Sequence, residues 1–253
     1  MRRRNQVQMR TRGVHTSVIR IALFCVISLS ANTAFGQGVV GEVPSDRWRS
    51  SVFFYIWGAN LDGTASIAGN EVDIGGGNLA EHIGGIFSGH FESRKGKWGY
   101  FLDGMYVRLD PDADTPVGRI SADVTNVIVE AAGVYQFNPT IKGLLGIRYQ
   151  DLDVDLDLSS GNISGNKDWV DFFIGLRLVP VQTDKWRVWL RGDVGVVGDS
   201  DTTWHAVLGA GYRFNPAWSL VAAYRVLSND IEDGGFKWDV VHSGLGLAVG
   251  YTF

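Results

Sequence analysis

The sequence GLGLAVGYTF, residues 244–253, decides the fold, because its side chains alternate in size at every step. Large apolar or aromatic residues occupy the odd positions from Leu245 to Phe253, and small residues occupy the positions between them. Successive residues of a β-strand point to opposite faces. The stretch is therefore predicted to be a strand with one apolar face and one face of small side chains.

The same alternation recurs upstream in WHAVLGAGYRF, residues 204–214, where Trp204 and Leu208 lie on one face and His205 and Arg213 on the other. Outward from these two segments, period-two patterns bounded by turn residues predict ten strands and no sustained helix. The predicted strands are Arg49–Leu61, Gly84–Arg94, Trp98–Leu109, Ile120–Phe137, Lys142–Leu158, Trp169–Val181, Trp186–Val197, Thr202–Phe214, Trp218–Ser228 and Phe236–Phe253.

The connections between these strands alternate strictly in length. The tight turns are Lys95–Lys97, Asn138–Thr140, Thr183–Lys185 and Asn215–Ala217. The longer polar loops between them are Asp62–Ile83, Asp110–Arg119, Ser159–Asp168, Gly198–Asp201 and Asn229–Gly235. Outer-membrane barrels combine tight periplasmic turns, longer external loops and an even number of strands. Residues 47–253 are therefore predicted to form an all-β, transmembrane, antiparallel up-and-down β-barrel.

Two other strand numbers stay open at this point. A short hairpin of Thr64–Ile67 with Glu71–Ile74 in the first loop would give twelve strands if it crossed the membrane. Merging of two shorter segments into loops would leave eight. Ten is the number that the alternation of the connections favours.

Aromatic residues lie near both ends of the predicted strands. Those beside tight turns or the C-terminus are Trp98, Phe137, Trp186, Phe214, Trp218 and Phe253, and those near the longer loops are Tyr106, Tyr149, Trp169, Trp204 and Trp238. The ten steps from Trp204 to Phe214 span about 25 Å in a tilted strand, which is the height of an apolar membrane band. The pattern predicts one aromatic girdle at each membrane interface.

Residues 1–36 have the composition of an export signal. Six arginines and no acidic residue precede or flank the apolar run Ile21–Ala31, and Ala34-Phe35-Gly36 supplies small residues before Gln37. This order predicts a signal peptide that is cleaved before Gln37, followed by a periplasmic lead-in over residues 37–46. The single cysteine, Cys25, lies in the signal and has no partner for a disulfide within the chain.

The charge of the mature chain indicates which partners to exclude. Residues 1–36 contain six of the 23 basic residues and none of the 27 acidic ones, so residues 37–253 carry a net charge of −10. Nucleic-acid binding depends on neutralising phosphates, so no nucleic-acid partner is predicted. The sequence contains no phosphate loop, dinucleotide fingerprint or cysteine metal motif, so no cofactor is predicted.

The alternation places a set of charged side chains inside the barrel. They are Glu92, Asp103, Glu130, Arg148, Asp171, Arg177, Arg187, Arg191, Asp193, Arg213 and Arg225, with His90 alongside. The lumen of a ten-stranded barrel is little wider than its side chains, and buried charges need partners. We expect acids and arginines to meet across the lumen, either as a structural plug of ion pairs or as a narrow polarised pore.

Two further features of the sequence are candidate sites. Asp151, Asp153, Asp155 and Asp157 share one face of a strand extension above the membrane, where they would bind calcium, bridge to lipopolysaccharide through divalent cations, or only keep the strand solvated. Hydrolysis would need a base–nucleophile pair, but His242 and Ser243 are adjacent in a strand and point to opposite faces. No catalytic residue is therefore predicted.

Several segments carry a family resemblance: GHFESRKGKWGYFLDGMY (89–106), GLLGIRY (143–149), KDWVDFFIGLR (167–177), WRVWLRGDVGVVG (186–198) and GAGYRF (209–214). From Trp48 to Phe253 the chain resembles small bacterial outer-membrane β-barrel proteins of the OmpA-like transmembrane type. The resemblance implies the outer membrane of a Gram-negative bacterium, and lipid and lipopolysaccharide as surroundings. Phe253 after Tyr251 resembles the C-terminal signal that the barrel-assembly machinery recognises.

The predicted function follows from these features. A structural or surface-interaction role without catalysis is favoured, a narrow pore for ions or small solutes is the alternative, and an outer-membrane hydrolase is the third reading.

Overall fold

The computed structural model describes residues 46–67, 70–74, 83–109, 112–115, 118–158 and 161–253. The predicted signal peptide and residues 37–45 of the predicted lead-in lie outside them. Within them lie the strands β1 (Arg49–Ile67), β2 (Asn70–Ile74), β3 (Ile83–Lys95), β4 (Trp98–Leu109), β5 (Asp112–Thr115), β6 (Gly118–Gln136), β7 (Ile141–Leu158), β8 (Gly161–Gln182), β9 (Trp186–Gly198), β10 (Thr202–Arg213), β11 (Trp218–Asp233) and β12 (Phe236–Thr252). The described part of the chain has no helix long and apolar enough to cross a membrane.

Ten of these strands form a closed barrel. Each of β1, β3, β4 and β6 to β12 pairs antiparallel with the next, and β12 pairs back onto β1 from Ser51↔Thr252 to Ser66↔Lys237. At the end of this seam, Ser50 and Phe253 exchange two backbone hydrogen bonds of 3.0 and 2.9 Å. The prediction of a ten-stranded antiparallel up-and-down barrel is confirmed.

The two remaining strands, β2 and β5, each pair with one barrel strand but are not part of the closed ring. β2 folds back on the outer part of β1, with Ile67 opposite Asn70, and β5 pairs with the start of β6. The hairpin predicted in the first loop is therefore present, but it does not add two membrane strands, so the count of twelve is wrong. The count of eight is wrong as well, because each of the ten predicted segments contributes a barrel strand.

The predicted long loops are largely paired strand in the described residues. β7 and β8 stay in register out to Leu158↔Gly161, and β11 and β12 out to Asp233↔Phe236. The latter hairpin turns through Gly234 and Gly235, whose φ angles of 56° and 94° suit glycine. The loop predictions for 159–168 and 229–235 were wrong in the described residues, because backbone pairing continues beyond the apolar band although most side chains there are polar. In the second segment, the inward-facing Ile231 is 1% exposed and packs in the interior.

A belt of exposed apolar side chains surrounds the barrel. It includes Phe54, Leu145, Ile174, Leu190, Leu208 and Leu245, all between 45% and 68% exposed. At the tight-turn end, aromatic rings repeat in contact: Trp98–Tyr135–Phe137, Trp186–Tyr212–Phe214 and Trp218–Tyr251–Phe253, with centroid distances from 4.7 to 6.1 Å. An apolar belt with an aromatic girdle is the outer surface of a membrane-spanning barrel.

Two tryptophans assigned to the second girdle lie inside the barrel instead. Trp169 and Trp238 are 2% and 3% exposed and pack together with other inward-facing side chains. We call this group the apolar plug: Ala65, Leu152, Val154, Trp169, Ile231, Trp238 and Val240. The girdle assignment failed because position along the strand was given more weight than face, although Trp169 shares its face with Asp171 and Phe173.

The β1–β12 seam gives a test of the closure. A Cβ at Gly244 would overlap the carbonyl group of Gly58 on the adjacent strand, whereas a Cβ at Gly104 meets nothing within 4 Å. We expect Gly244→Ala to destabilise the barrel by about 1–3 kcal/mol through overpacking, and Gly104→Ala to leave it nearly unchanged. Urea titration in detergent micelles, followed by gel mobility, measures both. Equal stability of the two variants would contradict this close approach.

Candidate functional site

The middle of the lumen is occupied by a cluster of buried charges centred on Glu130 of β6. Glu130 has no solvent exposure and accepts hydrogen bonds from Arg148 Nε at 2.8 Å and from Arg191 Nη1 at 2.9 Å. Arg225 Nη2 lies 3.6 Å from the same carboxylate. Three cations from β7, β9 and β11 therefore converge on one carboxylate, which offsets the cost of burying its charge.

Asp193 of β9 completes this cluster. It accepts hydrogen bonds of 2.7 Å from both Arg148 Nη2 and Arg191 Nε, and His205 Nδ1 lies 3.5 Å from Asp193 and from Glu130. We call Glu130, Arg148, Arg191, Asp193, His205 and Arg225 the central ion cluster. Each of its two carboxylates bridges the guanidinium groups of Arg148 and Arg191, an arrangement that joins β6, β7 and β9.

A second set of ion pairs lies beside the central ion cluster. Arg177 Nη1 donates to Glu92 Oε2 at 2.7 Å, which links β8 to β3 across the lumen. The Tyr55 hydroxyl donates to Asp103 at 2.9 Å, and His90 Nδ1 lies 3.0 Å from the other carboxylate oxygen. Arg225 Nη1, 3.4 Å from Asp103, connects the two sets.

Eight of the eleven predicted luminal charges belong to these two sets, and the other three lie outside them. Asp171 accepts hydrogen bonds from the backbone and hydroxyl of Ser200, so it holds the β9–β10 connection. Arg213 donates to the backbone carbonyl of Asp184 in a tight turn, and the Arg187 guanidinium lies over Trp189 at 5.9 Å. Arg187 and Arg213 lie nearer the tight-turn ends of β9 and β10 than the central ion cluster, whereas Asp171 lies opposite Arg148 in the β7–β8 pairing.

Aromatic rings that the sequence analysis had not assigned to the site support the arginines. Arg148 and Arg191 lie 5.0 and 5.3 Å from the Phe173 ring, and Arg225 lies 4.8 Å from the ring of Trp57. Desolvated cations are attracted to the faces of such rings. Lys142, which is also fully buried, was missed too. The sequence did contain a signal for it: Lys142 is six residues before Arg148 on the same strand, so period two places both side chains on the luminal face.

Along its axis the lumen has a closed part and an open part. Gln150, Asn229 and Thr203 form a hydrogen-bonded layer, with distances of 2.7 and 3.0 Å to Asn229 Oδ1, between the central ion cluster and the apolar plug. On the tight-turn side of the cluster lies a cavity of about 240 Å³, lined by residues that include Arg49, Arg187 and Arg213. We call it the turn-side cavity.

The row of aspartates on β7 lies on the outer wall above the apolar belt. Asp153 and Asp155 are exposed, while the alternating Leu152 and Val154 point into the plug. Partial burial and the neighbouring Asp155 and Asp151 raise the pKa of Asp153. Among the described residues, no group of three or more histidine, cysteine or acidic side chains could hold a metal ion. The Asp157 side chain lies outside the described residues, so calcium binding by the four aspartates stays a prediction.

The central ion cluster makes a stability prediction. Arg148→Ala leaves Glu130 and Asp193 short of a buried cation, so we expect a loss of about 3–5 kcal/mol in unfolding free energy. Arg108→Ala, which removes a half-exposed partner of Asp123 on the outer wall, is the control and should cost about 1 kcal/mol or less. Equilibrium unfolding of both refolded variants measures the difference, and equal losses would contradict a dependence on the cluster.

The raised pKa of Asp153 makes a pH prediction. The folded chain binds this proton more tightly than the unfolded chain, so its contribution to stability is lost as pH rises through the folded pKa. We expect Asp153→Asn to unfold at a higher temperature than the unchanged protein at pH 7 and at the same temperature at pH 3. The exposed Asp46→Asn serves as the control. A lower unfolding temperature for Asp153→Asn at pH 7 would contradict this sign.

Comparisons with known proteins add the following. No family model and no curated protein matches the chain. Among solved structures, the attachment invasion locus protein Ail of Yersinia pestis is 13% identical, with 81% of this chain and 98% of that chain covered and a TM-score of 0.40. Neisserial surface protein A is 15% identical (81% and 96% covered, TM-score 0.33), and the CymD monoaromatic hydrocarbon channel 13% (82% and 88%, 0.31).

These similarities are too weak to support an assignment. The architecture is defined instead by the strand register and by the exposed apolar belt. By these features the chain has the architecture of a small outer-membrane β-barrel protein.

Proposed function

We propose that this protein is an integral outer-membrane barrel with a structural or surface-interaction role, without ion conduction and without catalysis. The observation that carries the proposal is the filled lumen, in which the central ion cluster and the apolar plug lie one above the other. A conducting barrel needs a continuous aqueous path lined by polar groups.

The apolar plug supports a closed state most directly. Its large side chains point into the barrel interior and pack so closely that each is only 1% to 3% exposed. They are Leu152, Trp169, Ile231 and Trp238. Water gains no hydrogen bonds among such side chains, so ions passing there would lose their hydration without replacement. The central ion cluster adds a second barrier of buried ion pairs below the plug.

The external ends of the strands support a role at the surface. β7–β8 and β11–β12 project as paired hairpins, and Lys167 donates a hydrogen bond to Asp233 between them. The backbone of Glu232 also donates to Asp201 at 3.1 Å, which ties β11 to the β9–β10 connection. Because hydrogen bonds hold these hairpins to each other, their surface is already ordered and loses little conformational entropy when a partner binds.

The proposed surroundings follow from chemistry at each end of the barrel. The exposed aspartates of β7 would meet lipopolysaccharide phosphates through shared divalent cations at the external surface. Phe253, whose backbone closes the seam with Ser50, is proposed as the group that the barrel-assembly machinery binds. Neither interaction requires turnover or a cofactor.

A narrow pore is the second candidate, and the turn-side cavity is the observation that favours it. The cavity leads from the tight-turn end up to Arg191 and Arg225 of the central ion cluster. Movement of these arginines would extend the cavity towards the outside. A pore of this kind would respond to changes in the luminal arginines.

Single-channel recording in a planar bilayer separates the two candidates. We expect the refolded protein, with its barrel verified by a heat-dependent gel shift, to show no steady conductance because both barriers remain in place. Trp98→Ala on the outer surface is a matched control for reconstitution and should also be silent. Steady conductance of the unchanged protein that shifts in Arg191→Ala would overturn the closed barrel in favour of the pore.

A further inference from the structure

The turn-side cavity has an excess of positive charge. Eight of its lining residues are cationic, and two are carboxylates. The cations are Arg49, Arg94, Arg177, Lys185, Arg187, Arg191, Arg213 and Arg225. The two carboxylates, Glu92 and Asp103, already accept hydrogen bonds from Arg177 and from the Tyr55 hydroxyl. Glu130 and Asp193 of the central ion cluster pair with Arg191, and Glu130 also lies near Arg225. With these two acids counted, eight cations still face four acids, so positive charge remains in excess.

Strand pairing brings these cations together. Arg177 lies directly opposite Arg191 on β8 and β9, and Lys142 of β7 lies directly opposite Arg177. Like charges at directly opposed positions repel each other. Arg187 and Arg213 lie below them, towards the tight-turn end of β9 and β10. A structural plug alone would need acids opposite these positions, and the register places cations there instead.

Several guanidinium nitrogens around the cavity have no acceptor within the described part of the chain. Arg191 and Arg177, each 6% exposed, leave Nη2 and Nε respectively without a hydrogen-bond partner. Arg187 Nε and Arg213 Nη1 are likewise buried and unpartnered. A buried donor without an acceptor is destabilising, whereas an oxyanion offers several acceptor oxygens to arginine donors at once.

We propose that the turn-side cavity is a binding site for a small oxyanion, a phosphate or carboxylate group held by Arg187, Arg191 and Arg213. The apolar wall of Trp189, Val207 and Val221 would pack against the organic part of such a ligand. The cavity volume of about 240 Å³ suits a phosphate monoester or a small organic acid rather than a polymer. The site lies on the side that faces the periplasm in outer-membrane barrels.

Titration calorimetry with inorganic phosphate tests this site on the refolded protein in neutral detergent, at constant ionic strength maintained with sodium chloride. We expect saturable binding that the double variant Arg187→Gln/Arg213→Gln weakens about tenfold or more, since charge-assisted hydrogen bonds are removed. Arg108→Gln on the outer wall is the matched control and should bind like the unchanged protein. Absence of saturable binding, or equal affinity in the double variant, would overturn the proposal.

A second measurement needs no variant. Phenylglyoxal modifies accessible arginines, and peptide mass spectrometry locates the modified residues. Phosphate should protect Arg187 and Arg213 but not Arg108, and equal modification with and without phosphate would overturn the site.

The source of the ligand is distinguished by a parallel titration with short-chain phosphatidylglycerol. Binding of inorganic phosphate assigns the site to a soluble anion, and protection of the same arginines by the lipid alone assigns it to a headgroup at the mouth.

Discussion

A carboxylate that is sealed from water at the middle of a barrel must be surrounded by cations, and Glu130 imposes this condition on the whole interior. Its neighbours come from the adjacent strand β7 and from β9 and β11, which are distant in sequence, so the inner faces of all three strands have to present arginine at one level. Because these guanidinium groups need further acceptors, Asp193 and the rings of Phe101 and Phe173 occupy the remaining contacts. The packing of the lumen follows from that one buried charge.

The interior is consequently asymmetric along the barrel axis. Towards the external end, aliphatic and indole side chains fill the space, and the strands continue as paired hairpins. Towards the tight-turn end, glycine, serine and alanine on β11 and β12 leave room, and arginines line it. A barrel that served as a scaffold only would have no need for this difference. A closed outer end and an accessible inner end suit a protein that presents a fixed surface outside and meets solutes inside.

The sequence predicted the wall better than the contents of the barrel. Period two and the alternation of tight turns with longer loops were sufficient for the strand number, and period two for the face on which Leu245 and Arg191 lie. The length of the outer strands was underestimated, because polar residues such as Asn166 and Lys167 were interpreted as loop although they pair with Asp153 and Leu152 of β7. Which charges meet depends on strand stagger, a long-range property that alternation alone does not contain. For this reason the pairing of Glu92 with Arg177, four barrel strands away, could not be predicted.

The seam between β1 and β12 joins the first and the last strand of the barrel. Ser51 and Thr252, whose hydroxyl groups lie 2.8 Å apart, are separated by 201 positions. Contacts at such separation form late, because loop-closure entropy opposes them until the strands between are ordered. Until then both seam strands expose unpaired edges that bind other chains. Only a chain that has its last strand can close the barrel. A chain that lacks this strand retains an open edge and stays a substrate for aggregation or proteolysis.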